Sequence, residues 1–156
     1  MSLINHYCIT GKNYSFLHDL NIQIIISGAK FKDMSKFPDD WLKDSLGKNI
    51  SHKNKNFGTL SSHFWLWNNE FNKLKDDDWI GINHYRRFWI TEKTNNVNTN
   101  NLKDNIQRSI PGGDFDVLLP EKIYLKNLKF SKLIKKGFRN YIKSPKILFN
   151  RKKISI

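Results

Sequence analysis

The chain has 156 residues, of which 38% are hydrophobic and 13% aromatic, enough for one folded domain with a core. Its formal charge of +13 is unevenly distributed, since residues 1–120 hold 15 Lys and Arg against 13 Asp and Glu, whereas residues 121–156 hold 12 against 1. This nearly neutral body gives no electrostatic footprint for a polynucleotide, so a basic nucleic-acid-binding protein is the least favoured function.

Cysteine usage and hydropathy indicate the cellular compartment. Cys8 is the one cysteine, which excludes a disulfide framework within the chain and suits a reducing cytoplasm. We expect Cys8 to fill a buried position rather than to act as a nucleophile. The start of the chain has no secretory pattern, and no window approaches the roughly 18 apolar residues of a membrane span, so we predict a cytoplasmic protein.

The first part of the chain has the pattern of an α/β domain. Residues 6–10 are β-inclined and end at Gly11, residues 14–20 could supply a brief helix, and residues 22–27 form the purest β-branched run. The last of these predicts a central strand buried on both faces. Strand, short helix and strand together predict the opening of a Rossmann-like α/β domain. Residues 31–46 are expected to be irregular, with a turn of helix after Pro38.

A polar loop and an aromatic segment follow. Residues 44–58 are dominated by small amides and hydroxyls, and such a loop either connects elements in solvent or presents polar groups to a polyhydroxylated ligand. Residues 61–73 place Phe64, Trp67 and Phe71 at helical spacing, which predicts a helix with an aromatic face. For Trp65 and Trp67 we favour a position in the core over stacking on a sugar.

Residues 79–90 carry the main candidate site. Residues 79–82 predict a short buried strand, and His84, Tyr85, Arg86 and Arg87 follow it directly. A guanidinium group matches paired phosphate oxygens, and ligands of open α/β sheets bind at the carboxyl ends of strands. We therefore interpret residues 84–87 as the floor of an anion site, the alternative being solvated edge charges beside an ordinary packed histidine.

The acidic triplet at residues 76–78 precedes that strand and is predicted to lie at the opposite edge of the sheet. We interpret it as a solvated turn rather than as an Asp-x-Asp metal site.

The remaining segments are less distinctive. Residues 94–101 form a polar loop that is either a lid or a bland connection, residues 102–110 predict a helix, and residues 115–119 predict a strand. Residues 121–156 alternate lysines with apolar residues and predict an imperfect amphipathic basic helix at about 125–142. That helix either lies on an anionic membrane surface or docks on the domain with its lysines in water.

The order and spacing of these motifs resemble the DUF4422 family over residues 5–120. Three elements carry the resemblance: the loop Asp44, Gly47, Asn49, Ile50, Ser51, Lys53 and Asn54, the helix residues Phe64, Trp65, Trp67 and Asn69, and the strand residues Ile80, Gly81, His84, Tyr85, Arg86, Arg87 and Phe88. Departures are Thr59-Leu60-Ser61 where the family usually has Glu-Leu-Thr, Lys48 in place of an acidic residue, and a tail that we cannot match.

The resemblance implies a fold class and a function. Its fold is α/β, with a Rossmann-like, GT-A-type mixed sheet flanked by helices, here over residues 1–120 and followed by a basic helical tail at 121–156. Its function is that of a bacterial glycosyltransferase that transfers a sugar from a nucleotide-sugar donor to a capsule, lipopolysaccharide or exopolysaccharide acceptor. The alternative is a non-catalytic truncated remnant that binds a sugar nucleotide or a partner enzyme.

The roles of individual residues follow from the same implication. Arg86 and Arg87 would stabilise the leaving diphosphate, and His84 would donate a hydrogen bond to phosphate or accept a proton. The remaining substrate-binding candidates are Asp44, Asn49, Ser51 and Asn54 for sugar or ribose hydroxyls and Tyr85, Trp65 and Trp67 for stacking on a ring. A divalent metal is left open, because no Asp-x-Asp stands at the expected position. The expected partners are the donor, a glycan or lipid-linked glycan acceptor and an anionic membrane at the inner face of the plasma membrane, with no specific nucleic acid.

Overall fold

A computed structural model of the chain describes residues 3–91, 96–110, 116–120 and 138. The chain divides into two units, Met1–Asp116 and Val117–Ile156, and the sheet lies in the first. The basic helix predicted at 125–142 lies outside the described residues, apart from the helical Phe138. No helix in the described part of the chain is long and apolar enough to cross a membrane.

Four parallel strands form one open sheet in the order β3-β2-β1-β4. Their bounds are Ile4–Thr10 for β1, Gln23–Ile26 for β2, Leu42–Lys43 for β3 and Trp79–His84 for β4. The predicted α/β class is confirmed, and among the described strands every pairing is parallel. Because parallel strands point the same way, the carboxyl ends of all four lie at one edge of the sheet.

The helices are short. Their bounds are Asn54–Phe57 for α1, Leu60–Asn69 for α2 and Leu102–Asn105 for α3, with single 3₁₀ turns at Ser15–Leu17, Ala29–Phe31, Met34–Lys36, Ser51–Lys53 and Phe71–Lys73. The helix predicted at 14–20 is thus one 3₁₀ turn, and the segment after Pro38 is a turn without a helix. The helix predicted at 102–110 ends early because Ile106 and Ser109 form antiparallel bridges with Ile90 and Leu3.

The strand predicted at 115–119 is wrong for its described part. Residues 116–120 have no strand conformation, and Val117 and Leu119 are mostly exposed. Apolar residues such as Val117 and Leu119 are therefore not sufficient to form a strand. A strand also needs a neighbouring strand whose backbone hydrogen-bonds to its N–H and C=O groups.

The core covers both faces of the sheet, because alternate residues of β1 and β2 point to opposite sides. Cys8, Ile24 and Ile26 belong to one buried cluster, whereas Ile9 and Ile25 belong to the other. The strand at Gln23–Ile26 is therefore buried on both faces, as predicted. Cys8 is fully buried, and burial raises the pKa of its thiol to about 12, which confirms that it fills space in the core.

Helix α2 packs on the sheet through a different face from the predicted aromatic one. Trp65 and Leu66 are buried in the second cluster, so the core interpretation of Trp65 is confirmed. Trp67 is 65% exposed and contacts the ring of Phe71 at 4.8 Å. The core interpretation of Trp67 was wrong, because the buried stripe of α2 runs through two serines, Ser61 and Ser62, that hydropathy alone does not mark as interior.

Candidate functional site

The carboxyl edge of the sheet is held in register by backbone hydrogen bonds between the segments that leave the strands. Ser27 N donates to the carbonyl of Thr10 at 2.8 Å, Tyr85 N to that of Ile9 at 3.2 Å, and Asp44 N to that of Ile26 at 3.3 Å. The residues that follow β2, β3 and β4 are thereby brought to one edge, where open α/β sheets bind ligands.

A tight turn directly after β4 presents the two adjacent arginines. Arg87 N donates to the carbonyl of His84 at 2.7 Å, and His84 N donates to the carbonyl of Arg87 at 3.0 Å. Both arginine side chains are exposed. In the described part of the chain neither guanidinium forms an ion pair or a side-chain hydrogen bond within the protein, so both are available to an anionic ligand.

The ring of Tyr85 is the centre of an aromatic cluster beside the arginines. Tyr14 stacks on it with the ring centroids 4.8 Å apart and the planes 14° from parallel. The guanidinium carbon of Arg86 lies 5.0 Å from the Tyr85 centroid, and the ring of His84 lies at 4.4 Å. Tyr85 thus helps to orient Arg86 through a cation–π contact. Neighbouring side chains already contact the ring of Tyr85. The predicted stacking of Tyr85 on a ligand ring stays a prediction.

His84 is electrostatically suited to the neutral form. Partial burial, followed by the positive charges of Arg86 and Arg87, lowers the pKa of its imidazole below the usual value of 6.5. A neutral imidazole can accept a proton or donate one hydrogen bond. The two arginines therefore add to the effect of burial in favouring the neutral form of the adjacent histidine.

Two further residues lie at this edge, Tyr14 and Lys32, and neither was predicted from the sequence. Lys32 Nζ donates to the carbonyl of Gly11 at 2.7 Å, which places its ammonium group beside the turn that leaves β1. Neither residue belongs to a recognisable motif, and a lysine in an irregular segment gives no signal in the sequence. Their positions become visible only from the pairing of β1 with its neighbours.

Asp44 is the buried hub of the polar loop. Its side chain has no exposed surface, and its carboxylate accepts five hydrogen bonds, from Gly28 N at 2.8 Å, Ala29 N at 2.9 Å, Ser51 Oγ at 2.7 Å, Ser61 Oγ at 2.8 Å and Ser62 Oγ at 3.2 Å. A buried carboxylate needs such donors to replace its lost hydration. Asp44 therefore ties together the turn after β2, the loop and the start of α2.

The loop amides are also engaged within the protein. Asn54 Nδ2 lies 2.8–2.9 Å from Ser27 Oγ, the Gly58 carbonyl and Ser61 Oγ. Asn49 Nδ2 donates to two loop carbonyls, and its Oδ1 accepts from Ser51 N at 3.2 Å. The structure gives Asp44, Asn49, Ser51 and Asn54 a scaffolding role, and their predicted contact with sugar hydroxyls stays a prediction.

Helix α2 fixes the other side of the loop. Trp65 Nε1 donates to the carbonyl of Leu46 at 2.7 Å, so the buried indole anchors the loop. The side-chain amide of Asn69 pairs with the backbone of Lys48, at 3.1 Å to its N–H and 2.9 Å to its carbonyl. The predicted stacking of Trp65 or Trp67 on a sugar stays a prediction, with the ring of Trp65 in the core and that of Trp67 in solvent.

The acidic triplet lies away from these residues. Asp76, Asp77 and Asp78 are exposed and precede β4, at the amino edge of the sheet, and Asp78 Oδ2 accepts from Lys75 N at 3.0 Å. This is the solvated turn that was predicted. Among the described residues no group of three His, Cys, Asp or Glu side chains could hold a metal ion, and the question of a metal cofactor stays open.

Comparisons with known proteins place the chain in a family. A family model described as "Domain of unknown function (DUF4422)" matches residues 5–155. The match extends into the basic tail, to which the family motifs in the sequence could not be assigned. No curated protein matches. A solved structure described as the apo structure of the bifunctional glycosyltransferase WbbM is similar, with 27% identity and a TM-score of 0.45 over 63% of this chain and 16% of that chain.

Proposed function

The chain belongs to the DUF4422 family, and we propose that it is a glycosyltransferase whose carboxyl edge binds the diphosphate of a nucleotide-sugar donor. The acceptor in this proposal is a growing cell-surface polysaccharide or a lipid-linked glycan. The proposal draws on the resemblance of the family motifs and on the geometry of the turn after β4.

One observation carries the proposal: two exposed guanidinium groups, Arg86 and Arg87, follow a sheet strand at the ligand-binding edge without an acidic partner in the described part of the chain. Two adjacent positive charges without an acidic partner attract an anion more strongly than one charge does. A diphosphate supplies that anion, and guanidinium groups match its oxygens in pairs.

The reaction requires stabilisation of a leaving group. The acceptor hydroxyl oxygen forms a bond to the anomeric carbon of the donor while the bond from that carbon to the diphosphate oxygen breaks. Negative charge grows on the diphosphate, where Arg86 and Arg87 stabilise it. Neutral His84 accepts the proton of the hydroxyl or donates a hydrogen bond to phosphate. The scaffold around Asp44 holds the neighbouring turn at Gly28 in place during these steps.

Calorimetric titration of UDP- and GDP-sugars tests the diphosphate role. We expect the Arg86→Ala/Arg87→Ala variant to bind at least about 100-fold more weakly than the wild type, because each of the two lost charge-assisted hydrogen bonds contributes about 1.5–3 kcal/mol. The matched control is Lys75→Ala/Lys103→Ala, which removes the same charge from exposed positions outside the turn. Equal affinity of both variants would contradict the proposal.

Turnover separates an enzyme from the remnant considered above. Donor hydrolysis or transfer to an acceptor by the wild type, with loss of this activity in His84→Ala, is expected of a glycosyltransferase. Donor binding without any hydrolysis or transfer would instead support the remnant.

A further inference from the structure

A second recess lies at the amino edge of the sheet, opposite the arginine turn. It has a volume of about 640 Å³ and is lined by the beginnings of β1, β2 and β3 together with the segments that precede β2 and β3. None of the site residues predicted from the sequence lines it, and the proposed donor site does not use it.

The recess follows from the stagger of the strands. Tyr7 pairs with Gln23, the first residue of β2, so β1 begins three residues further toward the amino edge. Leu42 pairs with Ile25, so β2 in turn begins two residues before β3. At the amino edge β1 therefore extends beyond β2, and β2 extends beyond β3. The stepped strand ends form a concave surface.

Four polar side chains of this recess have no hydrogen-bond partner among the described residues. Asn5, Asn21, Gln23 and Asp40 line it, and none of their side chains makes a hydrogen bond within the described part of the chain. The side-chain amides of the polar loop, in contrast, have partners within the protein. The amide of Asn54, for example, contacts three oxygen atoms. Asn21, Gln23 and Asp40 are exposed and Asn5 is half-buried, so these amide and carboxylate groups face solvent along one recess and are available to a ligand rich in hydrogen-bonding groups.

The walls of the recess are fixed before any ligand binds. The guanidinium of Arg108 donates to the carbonyls of Leu20 and Asn21, at 2.7 and 3.1 Å. This clamp holds Asn21 at φ +50°, a left-handed conformation that costs free energy and is found where surrounding structure enforces it. Below the recess, the ring of His18 lies 5.3 Å from that of Trp41, which is only 5% exposed.

We propose that this recess binds a neutral oligosaccharide, at a site separate from the diphosphate site. Among the described residues that line it, Asp40 is the one carboxylate, and there is no Lys or Arg, so the lining itself supplies no cation to pair with a phosphate. Asn, Gln and Asp offer paired donors and acceptors that match vicinal hydroxyls, and the exposed ring of His18, supported from below by the buried Trp41, offers apolar surface to the C–H face of a sugar. The inference goes beyond the proposed transfer reaction and does not depend on it.

Nuclear magnetic resonance of the ¹⁵N-labelled full chain tests this site directly. Maltotriose, mannotriose and galactotriose are titrated to millimolar concentration, and the side-chain amide signals of Asn5, Asn21 and Gln23 are followed. We expect at least one trisaccharide to shift these signals in a saturable manner. Absence of such shifts with all three sugars would overturn the proposal.

A variant at the exposed wall of the recess makes the test specific. In Gln23→Ala/Asp40→Ala we expect the affinity for that trisaccharide, measured on Asn5 and Asn21, to fall about 10-fold, as two hydrogen bonds are lost. The control Asp19→Ala/Asn72→Ala removes the same groups from exposed positions outside the recess. Equal affinity of the two variants would overturn the proposal, whereas unchanged sugar binding in Arg86→Ala/Arg87→Ala would show that this site is independent of the donor site.

Discussion

His6 joins three segments of the chain through its two ring nitrogens. Nε2 lies 2.5 Å from the carbonyl of Gln107, and Nδ1 lies 2.9 Å from Asn83 Nδ2. Since a carbonyl only accepts and an amide nitrogen only donates, the ring is neutral with its proton on Nε2. Burial is the main cause that lowers the pKa of His6 below 6.5, and the positive charge of Arg108 acts in the same direction.

We predict that His6 makes the fold sensitive to acid. Its folded-state pKa lies below the unfolded value of 6.5, so the unfolded chain binds more protons as the pH falls below 6.5, and stability is lost in that range. Urea unfolding at pH 7.5 and 5.5 should show a smaller loss of unfolding free energy in His6→Gln than in the wild type. His52→Gln, at an exposed position, is the control. A wild-type pH dependence retained in full by His6→Gln would refute the prediction.

Both the backbone conformation and the neighbouring side chain restrict the replacement of Gly47. Its φ is +57°, and an added Cβ would overlap the side-chain oxygen of Asn69. We predict that Gly47→Ala lowers the unfolding free energy by at least about 2 kcal/mol, through left-handed backbone strain and displacement of Asn69. Gly11→Ala is the control, because its nearest contact at 3.7 Å is ordinary van der Waals contact with a lysine tip. Denaturant unfolding measures both, and equal losses would count against this explanation.

At the scale of elements, the loop between β3 and α2 depends on the Asp44 carboxylate. Asp44→Asn replaces one oxygen by a donor that faces N–H and hydroxyl groups. We predict a loss of about 2–4 kcal/mol, since a buried hydrogen-bonded charge is removed and donors are left unpaired. Asp77→Asn, in the exposed turn before β4, should change the unfolding free energy by less than about 0.5 kcal/mol. Similar values for both variants in urea unfolding would show that the network contributes little.

Sequence patterns specified some elements and left others ambiguous. The β-branched run at Gln23–Ile26 identified its strand because burial on both faces excludes polar residues. Strand β3 has two residues, Leu42 and Lys43, which is too short for any periodicity to appear. The polar loop was ambiguous for a chemical reason, because side chains that bind sugar hydroxyls are the same ones that satisfy a buried loop. The structure resolves this ambiguity for Asn54, because its side-chain N–H groups contact the hydroxyl oxygens of Ser27 and Ser61.

The two candidate sites also differ in whether the sequence could predict them. The arginine turn could be predicted, since adjacent Arg86 and Arg87 after an apolar run are visible in the sequence. The amino-edge recess could not be, because it arises from the offset of strand starts and from a clamp between Arg108 and the turn at Asn21 that are 87 residues apart. Long-range register and long-range clamps leave no local pattern.

For the whole molecule, charge is divided between a body with net charge +2 over residues 1–120 and a tail with +11 over residues 121–156. Separation of this kind is compatible with the proposed anion site in the body and with nonspecific attraction of the tail to a negatively charged surface. One form of the proposed acceptor is a lipid-linked glycan, which lies at a membrane. Attraction of the basic tail to anionic lipids would therefore raise the local concentration of the chain beside this acceptor.

We therefore predict that the tail binds the full-length protein to anionic vesicles. Each lysine near such a surface contributes about 1 kcal/mol, so Lys132→Gln/Lys135→Gln/Lys136→Gln should weaken co-sedimentation with phosphatidylserine-containing vesicles about 100-fold, and raised salt should weaken that of the wild type. The control removes the same charge from the body, in Lys30→Gln/Lys55→Gln/Lys103→Gln. If both triple variants bind equally, or if neutral phosphatidylcholine vesicles bind the wild type as well as anionic ones do, attraction by the tail is not the cause.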